Sequence, residues 1–468
     1  MKKQRFTMKN KRNMILIICV TLIILVVTWK LYSTIFYKVD KVSRIVTNPD
    51  NVTIVEPRNV EDVVLAVRYA KKNGMKVTAL SGGHSYYFMR DFPKLQSENL
   101  MVIDTKNMKT IEYLEENNRV FFEAGVNAGD IKRFNLTLNN VWCPHGNCDG
   151  VGLGFWVNSV SGLGGLFYPF SKDKNSGIAS DLIRKINYVD FEGNLIELDN
   201  PNSDDFKALK MCAGMFGIIT SLEVEPFSSR IPSIWFYVLK QDITECKNTV
   251  KKLLSNPTLN DSSTQLWILN INSWVTIKVS STGSLSCDDI GYILAVDYGL
   301  DIYPVVTKLL DSCCGSLSNI NGNYFYKYIL ENNWNTYHIG IPYNLINTSI
   351  INEIFDIYQS VRKRVMHSGS WYLPERFRSS TNPEAIFYWI DFSVVSDDEY
   401  GSSAMSRMTN LLKDIPGKIM YLNEPSINVP FNDYFTPYSP LSYNEFVRQK
   451  QIMDPNGMFV TRFNLSGQ

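Results

Sequence analysis

Two short stretches combine glycine with a nucleophile. The stretch "TALSGGHSYY" (Thr78 to Tyr87) follows a strand-like run with Ser81, Gly82, Gly83, His84 and Ser85. The stretch "HGNCDGVGLG" (His145 to Gly154) sets Cys148 ahead of Val151, Gly152 and Gly154. Imidazole and thiolate are both nucleophiles. Glycine lets backbone N–H groups come close to a phosphate. Read from the residues alone, a loop-capping histidine and an inert buried cysteine stand beside that chemistry. A third glycine loop, "AGMFGIITS" at 213–221, holds Gly214, Gly217 and Ile218. No Walker sequence occurs, and no G-x-G-x-x-G sits between a first strand and a helix, so any phosphate is held in another way. His338 and His367 show no partner pattern, and no metal-ligand set is found.

The elements around these loops are legible. In "EPRNVEDVVLAVRYAKKNGMKVTAL", Val60, Val63, Val64 and Val67 recur at helical spacing and Ala70 continues the face. Asn59 is the expected N-cap, Glu61 and Asp62 suit the first turn, Lys71 and Lys72 the last, and Gly74 the stop. "KVTAL" and "NLMVIDT" read as strands. "RVFFEAGVNAGDIKRFNL" reads as strand, glycine turn and helix. "LIRKINYVDFEGNLIEL" reads as a hairpin turning at Glu192-Gly193-Asn194. "DDFKALKMCAGMFGIITSLEVEPF" reads as helix, tight loop and strand. Further on, "SIWFYVLK", "QLWILNI", "YILAVDYG" and "AIFYWIDFSVV" are strand-like, and "NLINTSIINEIFDIYQSVRKRV" is helix-like.

The chain has 468 residues, 45% of them apolar and 20% charged, with a formal net charge of +1. That is a globular composition, long enough for two domains. No basic stripe points to nucleic acid. The N-terminus differs. A basic tail, residues 1–13, precedes the apolar run from Met14, which "LYSTIFY" extends to Tyr37. No small-residue cleavage site follows, so residues 14–37 read as an uncleaved signal anchor, single-pass type II, with the remainder lumenal or extracellular; a cleaved signal peptide is the alternative. Of eight cysteines, Cys19 lies in that run. The other seven make an odd number for an oxidising compartment, and six remain if Cys148 has another task.

Together these motifs resemble the vanillyl-alcohol oxidase/p-cresol methylhydroxylase superfamily, in its berberine bridge enzyme-like branch. The opening "EPRNVEDVVLAVRYAKKNGMKVTALSGGHSY" is similar to the start of its FAD-binding domain. Gly146-Asn147-Cys148-Asp149-Gly150-Val151-Gly152-Leu153-Gly154 is similar to its G-x-C-x-x-V-G-x-G. "DDFKALKMCAGMFGIITS", "YLNEP" and "SYNEFVRQKQIMDPNGMF" also resemble segments of the branch. The resemblance implies an α+β chain with a bipartite FAD-binding domain of p-cresol methylhydroxylase type. Residues 45–228 and a returning segment, 426–468, would form it. An inserted substrate domain, 229–425, would be an antiparallel sheet backed by helices.

The same resemblance implies FAD bound covalently twice, at the flavin 8α-methyl by His84 and at C6 by Cys148. Ser81, Gly82, Gly83, Ser85, Val151, Gly152, Gly154, Asp181, Gly214, Gly217 and Ile218 would make further cofactor contacts. Val151 resembles the oxidases more than the dehydrogenases. Tyr421, Asn423 and Glu424 match the strand facing the flavin, where a carboxylate could take a hydroxyl proton as hydride leaves for the ring. A structural Glu424 stands beside that role. Asp391, Tyr388 and Trp389 lie on a strand that could line the pocket or, for the rings, form core. His145 suits a supporting place. Phe155 and Trp156 come near the expected path of the cofactor, and Met211, Cys212, Ala213 and Met215 fill positions that are small in the branch. The expected activity is oxidation of an alcohol or sugar hydroxyl on a small-molecule substrate, with dioxygen reduced to hydrogen peroxide. A flavin dehydrogenase and a degenerate, non-catalytic FAD scaffold are the alternatives.

Overall fold

The computed structural model describes residues 52–82, 99–138, 141–146, 149–165, 178–227, 233–238, 264–271, 274–281, 302–304, 334–361, 364–372, 375–380, 382, 385–395, 399–421 and 429–461. The basic tail and the apolar run to Tyr37 fall outside them, as do Gly83, His84, Ser85, Cys148, Asn423 and Glu424. Among the described residues no helix is long and apolar enough to cross a membrane.

The described chain begins with β1 (Val52–Val55), α1 (Val60–Lys72), β2 (Lys76–Leu80) and β3 (Leu100–Asp104). The strands form a parallel sheet in the order β1-β3-β2. Local sequence accounts for α1. Asn59 is extended, and its side chain accepts the Asp62 backbone N–H at 2.9 Å. Acids occupy the first turn and lysines the last, matching the helix dipole. Gly74 follows at φ +60°, the left-handed turn that ends the helix. Val63, Ala66, Val67 and Ala70 are buried. They pack with Val77, Met101 and Ile103 of the parallel sheet and with Val189 and Ile218 of a second sheet. The helix is therefore the layer between two sheets.

The second sheet follows from β4 (Ile111–Leu114), β5 (Arg119–Glu123), α2 (Ala128–Asn135), the short α3 (Gly154–Val157), β6 (Ile183–Val189), β7 (Leu195–Leu198), α4 (Asp204–Cys212) and β8 (Ile218–Val224). Its order is β4-β5-β8-β6-β7, antiparallel throughout. Gly193 turns the β6–β7 hairpin at φ +77°.

A third sheet contains β9 (Ser233–Val238), β10 (Thr264–Ile271), β11 (Trp274–Ser281), β12 (Ile302–Pro304), β13 (Trp334–Pro342), β14 (Arg364–Tyr372), β15 (Ile386–Val395) and β16 (Ile419–Met420). It is antiparallel, in the order β12-β9-β11-β10-β14-β15-β13-β16. Helices α5 (Thr348–Gln359) and α6 (Glu399–Leu412) pack on one another, and α6 packs on β13 and β15. The helical reading of "SVRKRV" is corrected here. The helix ends at Gln359, and Arg364 opens β14, which lies between β10 and β15. Pairing on both sides outweighs the local helical preference of that stretch. "YILAVDYG" lies outside the described residues.

The C-terminal segment carries α7 (Tyr443–Met453) and then pairs with β2 in parallel, Val77 opposite Phe459. Asp454 sets this up. Its oxygens accept the backbone N–H groups of Met458 and Phe459 at 2.9 and 2.8 Å. Lys450 Nζ lies 2.5 Å from the same carboxylate and also donates to the carbonyls of Met215 and Phe459. The Asp454 side chain is fully buried. Burial lowers the Lys450 pKa from its ordinary value, which the nearby carboxylate opposes. Removing one partner of such a pair leaves an uncompensated buried charge. Asp454→Ala should cost about 3–5 kcal/mol in urea-induced unfolding. Arg407→Ala, which breaks an exposed pair with Glu353, should cost less than about 1 kcal/mol.

Candidate functional site

The first two glycine loops meet face to face. Ser81 Oγ donates to the Ala124 carbonyl at 2.7 Å and accepts the Leu153 N–H at 3.0 Å. A Cβ on Gly82 would stand 2.0 Å from the Gly150 carbonyl oxygen and 2.5 Å from Gly152 N. A Cβ on Gly152 would stand 2.3 Å from Gly82 N. Backbone therefore lies on backbone, and a side chain at either position must part the loops. The second loop rests on the start of α2. Ala128 and Gly129 donate their N–H groups to the carbonyls of Val151 and Asp149 at 2.8 and 3.1 Å. Lys132 Nζ reaches Asp149 Oδ1 at 2.8 Å.

Residues 159–165 continue from this seam. Gly162 adopts φ +83°, where a Cβ would lie 2.5 Å from the Tyr438 carbonyl oxygen. Thr436 Oγ1 donates to the Ser161 carbonyl at 3.0 Å. The Oγ atoms of Ser161 and Ser180 are buried without a hydrogen-bond partner. Buried hydroxyls are normally paired, so these two point to a missing polar group. Asp181 Oδ2 lies 2.6 Å from Arg376 Nη1, off the hydrogen-bond axis, and Oδ1 lies 3.6 Å from Lys210 Nζ. Burial lowers the Lys210 pKa.

The third loop closes differently. Gly217 lets the chain pass Tyr188, where a Cβ would stand 2.6 Å from the ring. Ile218 is buried as the first residue of β8, and Gly214 faces Thr461. Met211, Cys212, Ala213 and Met215 are all buried core. Phe155 and Trp156 also turn into the core, with Trp156 5.3 Å from the Phe122 ring. They do not project from the loop as bulk. Their aromatic character was visible in the sequence, but the helical turn at 154–157 that buries them was not.

Tyr421, half-buried, packs its ring 5.7 Å from that of Trp389. Both belong to an apolar cluster with Leu163, Ile178, Phe377, Phe387 and Ile419. That cluster joins the 159–165 loop to the third sheet. Tyr388 is buried on the opposite face, in the main core. His145 Nδ1 lies 3.0 Å from the Gly146 carbonyl oxygen, and its ring lies 5.7 Å from that of Trp142. Among the described residues no group of histidine, cysteine and carboxylate side chains could hold a metal. Sequence reading missed Ser161, Ser180 and Arg376, which carry no motif and acquire meaning only through burial and contact.

Residues 52–198 match the family model of an FAD binding domain. Berberine bridge enzyme-like 6 of Arabidopsis thaliana is 26% identical over 172 residues, which are 36% of this chain and 29% of that protein. Glucooligosaccharide oxidase of Sarocladium strictum is 26% identical over 181 residues, 38% of this chain and 34% of that protein. The matched stretch thus spans about a third of these relatives' length. A solved xylooligosaccharide oxidase from Myceliophthora thermophila shares the fold with a TM-score of 0.66 at 17% identity, over 92% of this chain and 98% of that one. Residues 52–198 are thus similar to an FAD-binding domain, and the chain shares its α+β fold with the solved xylooligosaccharide oxidase.

Two outcomes follow from the seam and the buried thiols. Gly152→Ala should lower stability by about 1–3 kcal/mol, read by thermal unfolding, because a methyl group is forced into backbone. Burial pushes the Cys212 thiol up to about 12 and raises that of Cys143 as well. Peptides containing either residue should stay unalkylated by iodoacetamide in the native protein at neutral pH, as mass spectrometry would show.

Proposed function

We propose that this chain is an FAD-dependent oxidoreductase that oxidises an alcohol or sugar hydroxyl. The observation that carries the reading is the seam of Gly82 on Gly150 and Gly152. In sequence, His84 stands two residues beyond Gly82, and Cys148 two residues before Gly150. The seam joins the two loops that hold the proposed attachment residues. The residues present fit the cofactor. Ser161 and Ser180 offer buried hydroxyls without partners, suited to phosphate or ribose oxygens. Ser81, Gly82, Gly83, Ser85, Val151, Gly152, Gly154, Asp181, Gly214, Gly217 and Ile218 would complete the cofactor's surroundings. When bound, FAD supplies the two-electron acceptor.

The third sheet would hold the substrate. Its apolar cluster around Trp389 excludes water, and Tyr421 lies at its rim. Tyr421, Asn423 and Glu424 are proposed to position the reacting hydroxyl. The similarity to glucooligosaccharide oxidase and to xylooligosaccharide oxidase supports a sugar substrate, with dioxygen as the acceptor. The division into residues 45–228 with 426–468, and 229–425, is supported by the separation of the third sheet from the first two. Residues 14–37 are proposed as the signal anchor, on composition alone.

The full chain, extracted in detergent after expression with ample FAD, should remain yellow through acid precipitation. Flavin should map to peptides containing His84 and Cys148, and His84→Ala or Cys148→Ala should each remove one link. Peroxide should appear with oligosaccharides in air. Substrate-reduced flavin that reoxidises only with an added carrier would replace the oxidase by a dehydrogenase. A colourless wild-type protein would overturn the flavoenzyme reading.

A further inference from the structure

Asparagine followed by any residue but proline, and then by serine or threonine, is the acceptor sequence for an N-linked glycan. The chain has five such asparagines: Asn51, Asn135, Asn260, Asn347 and Asn464. Asn51, Asn260 and Asn464 lie outside the described residues. Local sequence makes the other two alike, and their tertiary contacts separate them.

Asn135 closes α2, is half-buried, and has its amide committed to the backbone of a single residue. Nδ2 donates to the Cys143 carbonyl at 2.8 Å, and Oδ1 accepts the Cys143 N–H at 2.9 Å. Two bonds to one residue use the oxygen and the hydrogen on the same edge of the amide. A secondary amide prefers the trans form by about 2.5 kcal/mol, so a sugar on Nδ2 occupies that same edge. The glycan and the pair to Cys143 therefore exclude one another. The pair also holds a fixed segment, because the neighbouring Trp142 exchanges two backbone hydrogen bonds with Phe227, each 2.8 Å long.

Asn347 caps α5, and Asn347, Thr348 and Ser349 are all exposed. Its Oδ1 accepts the Ile350 N–H at 2.9 Å, while Nδ2 makes no hydrogen bond among the described residues. An amide oxygen remains an acceptor when its nitrogen carries a sugar, so cap and glycan are compatible. The apolar side of α5, with Ile351, Ile354 and Phe355, is turned into the core, and the cap lies outside it.

We infer that Asn347 carries an N-linked glycan and that Asn135 stays bare in the folded protein. This rests on the signal-anchor reading above, which puts the chain beyond Tyr37 in the lumen. The donor is a lipid-linked oligosaccharide diphosphate. A bond forms between Asn347 Nδ2 and the anomeric carbon, and the bond from that carbon to phosphate breaks. The lipid diphosphate leaves, the nitrogen gives up one proton, and nothing is oxidised or reduced. Transfer acts on the extended chain, so folding decides which glycans a native molecule can keep.

The full chain, made in secretory eukaryotic cells and extracted in detergent, provides the test. Deglycosylation by peptide N-glycosidase in heavy-oxygen water, followed by mass spectrometry, should convert Asn347 to labelled aspartate and leave Asn135 unlabelled. Ser349→Ala, which leaves the cap in place, should lose one glycan's mass on a gel. Asn347→Asp, which keeps a capping oxygen, should do the same. In sealed microsomes the body of the chain should resist protease until detergent is added. A protected chain with Asn347 unlabelled would overturn the site and leave the anchor reading standing. A body digested without detergent would overturn the anchor reading, and the glycan with it. Labelled Asn135 in the folded fraction would overturn its exclusion.

Discussion

The place of the large antiparallel sheet against the glycine loops depends on one apolar contact between distant parts of the chain. Leu163 and Ile178 belong to the stretch after the second glycine loop. Phe377, Phe387, Trp389 and Ile419 belong to the large antiparallel sheet. Burying them together fixes where the sheet stands relative to the loops. At roughly 1.5–3 kcal/mol for each large side chain removed from water, the cluster is worth far more than the polar contacts at its edge. Those contacts give it direction. Arg376 meets Asp181 on one side and the Gly162 carbonyl at 3.4 Å, while Thr436 holds the Ser161 carbonyl. An apolar patch alone tolerates sliding, whereas an ion pair and two hydrogen bonds to fixed carbonyls do not.

The same arrangement holds in place one of the two buried hydroxyls left without partners, that of Ser161. The carbonyl of Ser161 is committed to Thr436, and its neighbour Gly162 is wedged against Tyr438. The C-terminal segment supports the arrangement from the other end. Asp454 and Lys450 seat residues 458–460 beside β2, whose last residue leads into the first glycine loop.

The sequence alone determined much of the first half. α1, with its Asn59 cap, charged ends and Gly74 stop, was legible because each signal acts within a few residues. The β6–β7 hairpin with Gly193 at its turn, and the helix–loop–strand from Asp204 to Val224, were legible for the same reason. Glycine loops near His84 and Cys148 were visible too, although the glycine requirement at 82 and 152 comes from one loop touching the other. Only the tertiary structure decided the rest. "SVRKRV" looks helical until strands pair on both sides of it. Phe155 and Trp156 look like bulk beside a cofactor until a helical turn carries them into the core. Periodicity and capping are local and survive in one dimension. Which strands become neighbours is set by burial of whole faces, and that information is spread along the chain without any motif to mark it.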